Sequence, residues 1–244
     1  MKLTVIGFWG GYPRKNGAST GYLLEHDGFK LLIDCGSGVL AKMQNVVQPE
    51  ELDAVILSHY HPDHIADIGV LYHARLIQGF LKGKLPPLPI YGHTQDEAEF
   101  KKLTHDGVTK GIAYKPNADL KLGPFDISFL KTVHPVPCYA MRFEAGGKSV
   151  VYTADTAFKE EFVPFSKNAD VLLCECNFYA NQSGQGAGHM TSTEAGRLAE
   201  NAGVGELILT HLPHYGNVEQ LVDEASKEFG GKVRLAEEFM EIDL

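Results

Sequence analysis

This chain of 244 residues is poor in cysteine, in basic charge and in long apolar runs. Its four cysteines are Cys35, Cys138, Cys174 and Cys176. None forms a Cys-x-x-Cys pair, so a redox motif of that kind is excluded. Cys174 and Cys176 flank Glu175 and share one face of an expected strand, where they serve as small apolar side chains. The expectation is a reduced, cytoplasmic protein. No apolar run approaches the length that spans a membrane. The N-terminal Met1 to Gly7 is too short an apolar run for a signal peptide and reads as a first strand. Lys and Arg number 22 against 31 Asp and Glu, a net charge of -9. A field of that sign disfavours a nucleic-acid polyanion, and bound divalent cations would offset part of it locally. Low-complexity linkers and internal repeats are absent. Hydrophobic residues make up 44% of the chain, enough for a sizeable core, and the length suits one large domain or two small ones.

One stretch is rich where the rest is spare. His59-Tyr60-His61-Pro62-Asp63-His64 holds four potential metal ligands in six residues. His59 and His61 are two apart, so in an extended segment their imidazoles point the same way. A tight turn at Asp63 and His64 aims that pair at a second point. The stretch follows Ala54-Val55-Ile56-Leu57, which reads as a buried strand, and precedes residues 65–80, which have helical spacing. Two metals a few ångström apart is the simplest reading of such crowding.

The remaining elements follow from pattern. Strands are expected at 3–6, 20–25 and 29–34, with Asp27-Gly28 as a hairpin signal, and a short helix at 38–46. A strand at 89–91 and a helix at 95–103 come after a basic, proline-rich connector, and 106–124 reads as irregular. Strands are expected again at 126–133, 139–144, 148–153, 171–175, 206–210 and 232–235. Helices are expected at 157–165, 191–201 and 218–229, the second capped by Thr191 or Ser192 with Glu194 just inside. The polar run Asn181 to Gly188 reads as a mobile loop beside a site. This order fits two mixed sheets with helices outside, as one layered domain.

Three further candidates stand at strand ends, where open sheets place their sites. His134 follows Leu130 to Val133, Asp155 follows Val150 to Ala154, and His211 follows Leu207 to Thr210. Each alone is an ordinary polar residue at a strand end. Three repeats of one placement, added to the crowded motif, favour ligation.

Together these residues resemble the signature of the metallo-β-lactamase-fold hydrolases: His-x-His-x-Asp-His, a single His, an Asp and a last His. The likeness runs over nearly the whole chain and implies one domain, residues 1–244, built as an αββα sandwich (α/β, four layers) of two mixed β-sheets flanked by helices. By it, His59, His61 and His134 bind one metal and Asp63, His64 and His211 a second, with Asp155 bridging. The ligand types suit two zinc ions, with Mn2+ or Fe2+ as alternatives. A bridging water, deprotonated near neutral pH, is the implied nucleophile, and Asp63 orients it. Leu172-Leu173-Cys174-Glu175-Cys176-Asn177 and Gly188-His189-Met190-Thr191-Ser192 resemble two later segments of ribonuclease Z. They imply that Glu175 and His189 are catalytic, His189 facing the scissile phosphate and protonating the leaving oxygen.

The departures are as informative. Ribonuclease Z carries a tRNA-binding arm, in the bacterial enzymes between the single His and the Asp. Here that interval is 155 − 134 = 21 positions, filled by two strands and a turn. Cys174 and Asn177 replace a His and a Thr of the ribonuclease Z pattern, and the acidic balance lacks a tRNA binder's basic footprint. The expectation is therefore a phosphodiesterase acting on a small cyclic nucleotide, a phosphosugar or short RNA, with tRNA disfavoured and no membrane partner. The alternatives are a thioester or lactone hydrolase and a metal-bearing scaffold that binds a nucleotide without turnover. The family likeness also implies a homodimer. Asp34 reads as a hydrogen-bond support for a ligand histidine, and Cys35 as a buried small residue. The aromatic, glycine-containing stretch Phe8 to Tyr12 reads as either a substrate-facing lid or an oligomer contact.

Overall fold

A computed structural model of the chain describes residues 1–244. It falls into two compact units, residues 1–115 with 237–243, and residues 116–236 with Leu244.

The first unit is a mixed seven-stranded sheet. β1 (Lys2–Gly7), β2 (Gly21–His26) and β3 (Phe29–Ile33) run antiparallel. Asp27 and Gly28 at the β2–β3 turn both have positive φ, 47° and 80°, which matches the twist of the flanking strands. β4 (Ala54–Ile56), β5 (Leu88–Gly92) and β6 (Thr109–Ala113) then add in parallel. The helices are α1 (Val39–Met43), α2 (Pro62–Ile65), α3 (Ile68–Lys82) and α4 (Glu97–Lys102). Leu23, Leu32, Val55 and Ile90 from the strands meet Val39, Met43 and Leu71 from α1 and α3 in one buried cluster. Each such side chain contributes roughly 1.5–3 kcal/mol by leaving water.

The helix expected over 65–80 is divided. α2 ends at Ile65 because Asp67 turns aside, donating its N–H to Cys35 O at 3.1 Å and accepting Leu40 N–H on Oδ2 at 2.9 Å. The stretch read as irregular contains β6 and, in the second unit, β7 (Leu120–Leu122). Thr109-Lys-Gly-Ile-Ala is weak strand material, and pairing with β5 makes it a strand. Its Gly111 lies so close to Leu103 that an added Cβ would sit 3.2 Å from that side chain.

The second unit repeats the scheme. β7, β8 (Phe125–Lys131), β9 (Tyr139–Ala145) and β10 (Lys148–Tyr152) form an antiparallel meander. β11 (Val171–Glu175), β12 (Glu206–Thr210) and β13 (Lys232–Leu235) continue in parallel. The interval from His134 to Asp155 is β9, the Gly146-Gly147 turn and β10, with no room for an arm. The helices are α5 (Phe162–Phe165), α6 (Ser192–Ala202) and α7 (Glu219–Ala225). α6 opens on the expected capping box of Thr191 and Glu194. The helix expected from 157 shrinks to one turn, since Ala157 N–H is committed to Val133 O at 3.0 Å. β14 (Glu241–Asp243), not foreseen, pairs antiparallel with β1 at the edge of the first sheet. No helix is long and apolar enough to cross a membrane.

Candidate metal centre

In the first unit, two neighbouring parallel strands deliver the site. β3 leads to Asp34, whose φ of 55° turns the chain sharply, and β4 leads to Ser58 and His59. Strained φ values of this kind cost roughly 1–3 kcal/mol and gather at functional sites. The Asp34 carboxylate is fully buried. Its Oδ1 accepts Ser58 N–H at 2.7 Å, and its Oδ2 accepts Ser58 Oγ at 2.7 Å and His64 Nδ1 at 2.8 Å. The Ser58 hydroxyl proton is thus spent on Asp34, so its oxygen accepts from His59 Nδ1 at 3.0 Å. One carboxylate therefore sets two tautomers: both His59 and His64 carry their proton on Nδ1, which makes Nε2 the nitrogen that could coordinate a metal.

The motif itself turns as expected. His61 stands before Pro62, the first residue of α2, where a missing N–H is harmless. His59 Nε2 and His61 Nδ1 lie 3.1 Å apart. Two nitrogens about 2.0–2.1 Å from one tetrahedral ion would lie ~3.3 Å apart, so this pair fits a shared metal. Asp63 and His64 are buried, with Asp63 Oδ2 3.5 Å from His64 Nε2. Backbone bonds hold both: Thr20 N–H to Asp63 O at 3.1 Å and Cys35 N–H to His64 O at 2.8 Å. Asp63 Oδ2 also accepts Gly11 N–H at 2.8 Å.

Gly36 allows that approach. An added Cβ would lie 1.9 Å from Asp63 O and 2.5 Å from Ser19 Oγ. The Gly36→Ala variant is expected to lose more than about 2 kcal/mol of stability, measured by urea denaturation, because the first obstacle is backbone.

In the second unit the candidates again stand at strand ends. Ala154 and His211 have φ of 50° and 52°. His211 Nε2 is 3.3 Å from Asp155 Oδ2, and His134 Nε2 is 3.9 Å from the same oxygen. A carboxylate oxygen between two imidazole nitrogens suits a bridging role. His134 Nδ1 donates to Gly188 O at 3.1 Å, which again leaves Nε2 to coordinate. Asn177 Nδ2 donates to His211 O at 2.9 Å.

Glu175 ends β11, fully buried. It accepts Thr156 N–H at 2.9 Å, Met190 N–H at 3.1 Å, Asn177 N–H at 3.3 Å and His189 Nδ1 at 2.7 Å. Glu175, His189 and His211 offer ligand atoms within 4.8 Å of one another. With four donors on its two oxygens, Glu175 is a hydrogen-bond hub rather than a ligand. It fixes Nδ1 of His189 as the donor, with Nε2 on the far side of the ring. The His189 ring stacks on His211 with centroids 5.2 Å apart and meets His134 edge-on at 5.4 Å. The polar run before it closes on this residue, with His189 N–H bonded to Gly184 O at 3.1 Å.

Cys35, Cys174 and Cys176 are buried, free thiols, and desolvation pushes all three up well above the ordinary thiol range. His105 stacks on Tyr72 at 4.3 Å, and His73 is exposed. Reading the sequence missed Ser58 as relay, Gly11 as donor to Asp63, and Thr156 and Asn177 as partners of Glu175. A glycine doublet beside aromatics was the only signal for Gly11, and backbone donors leave none.

Comparison with known proteins places these features in context. A model of the beta-lactamase superfamily domain matches residues 30–212. The probable metallo-hydrolase YhfI of Bacillus subtilis is 56% identical over 97% of each chain. The crystal structure of that metallo-beta-lactamase fold protein superposes with a TM-score of 0.98, at 54% identity over 99% of this chain and 98% of that one. Ribonuclease Z of Methanopyrus kandleri is 28% identical over 94% of this chain and 93% of its own. Unliganded yeast PDE1 shares the fold, with a TM-score of 0.72 at 14% identity, over 98% of this chain and 99% of that one.

Proposed function

This chain belongs to the beta-lactamase superfamily of metallo-beta-lactamase fold, and from that premise we propose that it is a dinuclear metal-dependent phosphodiesterase of small nucleotide or phosphosugar substrates. By the family signature, His59, His61 and His134 would hold one ion, Asp63, His64 and His211 the other, and Asp155 would serve both. The ligand set fits zinc by donor type and by the 3.1 Å spacing of His59 and His61. When bound, two such ions supply Lewis acidity toward a phosphoryl oxygen and lower the pKa of water toward neutrality.

The protein's own groups do the rest. Asp34 and Ser58 hold His59 and His64 in the coordinating tautomer. Asp63 orients the attacking water. His189, fixed through Nδ1 by Glu175, gives a proton from Nε2 to the departing oxygen.

The observation that carries the reading is the Glu175–His189 pair. An alkoxide leaving a phosphodiester needs a proton, whereas a thiolate, with an ordinary pKa of about 8.5, leaves without one. A positioned proton donor in addition to the ligands therefore favours oxygen esters. Relatives named ribonuclease Z and PDE1 point the same way. The test is hydrolysis by protein loaded with zinc, manganese or iron. We expect cleavage of bis-p-nitrophenyl phosphate and of a cyclic nucleotide, and little of an acyl thioester. Thioester cleavage with no phosphodiester cleavage at any metal loading refutes the reading, and cleavage of neither supports a metal-bearing scaffold.

A further inference from the structure

The segment that joins β1 to β2, Phe8 to Gly17, has no task in that scheme, yet it touches the site. Gly11 N–H bonds to Asp63 Oδ2 at 2.8 Å, so the loop is tied to the metal-binding motif 52 residues away in sequence. Tyr12 N–H bonds back to Gly10 O at 2.9 Å around Gly11, whose φ is 74°. This three-residue turn is a strained form that favours glycine. Nothing lies within 4 Å of a Cβ built on Gly11, so the backbone angle, not crowding, calls for the glycine. The turn points its central N–H at Asp63 and carries Tyr12 into solvent, where it is 61% exposed.

Behind Tyr12 the loop is braced. The Arg14 guanidinium lies 3.9 Å from the centroid of the Trp9 ring, and Phe8 packs at 5.0 Å from it. Gly17 sits against the indole, where an added Cβ would be 3.0 Å from Nε1, and Gly17 N–H closes onto Arg14 O at 2.8 Å. The loop's charge also stands apart. Residues 1–24 contain Lys2, Arg14 and Lys15 and no acidic residue, in a chain of net charge -9.

We propose that the Phe8–Gly17 loop is the specificity element of the site, and that Tyr12 stacks on a nucleobase. The substrate class is then a nucleotide rather than a phosphosugar. This rests on the phosphodiesterase reading and deepens it. Every base offers a π-face to an exposed aromatic ring beside a basic segment. A phosphosugar offers only the C–H groups of a puckered ring and gains less from Tyr12 than a flat base does. The guanidinium and ammonium of Arg14 and Lys15 raise the local concentration of a phosphate ester that the rest of the surface repels.

Trp9 is the only tryptophan, so its emission reports the loop directly. Zinc-loaded protein is titrated with a hydrolysis-resistant phosphorothioate of adenosine 3′,5′-cyclic monophosphate and, separately, with ribose 1,2-cyclic phosphate. We expect saturable quenching by the first at concentrations at least tenfold lower than by the second. In turnover, Tyr12→Ala should raise the ratio of KM for cyclic AMP to KM for ribose 1,2-cyclic phosphate by tenfold or more. Its effect should fall on KM rather than kcat, and Tyr12→Phe should restore the ratio. An unchanged ratio, equal quenching by both ligands, or failure of Tyr12→Phe to restore overturns the proposal. If the unaltered protein hydrolyses neither substrate, the phosphodiesterase reading fails by itself, and the quenching comparison still decides what the loop binds.

Discussion

Replacing His189 with alanine is expected to lower kcat on a cyclic nucleotide by roughly 10²–10⁴-fold, the span of a lost general acid, with metal content unchanged. The leaving group is what makes the prediction discriminating. A ribose hydroxyl departs as a strongly basic alkoxide unless protonated, and His189 Nε2 is the nitrogen left over by the 2.7 Å bond between Nδ1 and Glu175. The p-nitrophenolate of bis-p-nitrophenyl phosphate leaves as a stable anion. His189→Ala should therefore slow that substrate far less than the cyclic nucleotide. Equal loss on both would assign His189 to phosphate binding instead of proton transfer. Metal analysis of the purified variant guards against a trivial cause, since the ring also stacks on the candidate ligand His211. Glu175→Gln should show the same selectivity at smaller size, because an amide still accepts one bond but no longer supports a charged ring.

Loss of the Asp34 carboxylate should act on the metals rather than on the leaving group. Partners that orient ligand histidines are typically worth 10–100-fold in metal affinity, and Asp34 orients two of them, directly for His64 and through Ser58 for His59. Asp34→Ala is expected to weaken zinc binding by about 100-fold or more, read by competition with a chromophoric chelator. It also strands Ser58 N–H, Ser58 Oγ and His64 Nδ1 without their acceptor in a fully buried place, at a cost of about 2–5 kcal/mol to the metal-free fold. Asp34→Asn keeps an acceptor for one donor and should fall between. Wild-type zinc affinity in Asp34→Ala would show that the two tautomers are set by something else.

The candidate metal motif was plain in the sequence because its information is local. Three histidines and an aspartate in six residues, after an apolar strand and around a proline, need no distant partner to be recognised. His134, Asp155 and His211 were legible for a related reason. Each follows an apolar run, and a polar residue that ends such a run stands out from it. The short interval between His134 and Asp155 was enough to exclude an arm, and two strands with a Gly146-Gly147 turn fill it. The errors fell where local preference was overruled. Residues 109–113 form a strand by pairing with β5, against their composition. Residues 157–161 give up helix because Ala157 is bonded to Val133.

What the sequence determined alone was therefore the inventory: the family signature, the candidate ligand residues, the strand–helix alternation and the absence of a tRNA arm. The tertiary structure decided how each side chain is held. Only folding brings the end of β3 beside the end of β4, so that one buried Asp34 can dictate the protons of His59 and His64. Only folding sets four donors on Glu175, with His189 Nε2 on the far side of its ring, or lays Gly11 against Asp63 and so gives an unassigned loop a place at the site. The physical reason is that ligand identity is written in side-chain chemistry, residue by residue. Tautomer, orientation and strain arise from hydrogen bonds between segments 14 to 54 residues apart, many of them made by backbone groups that every residue possesses.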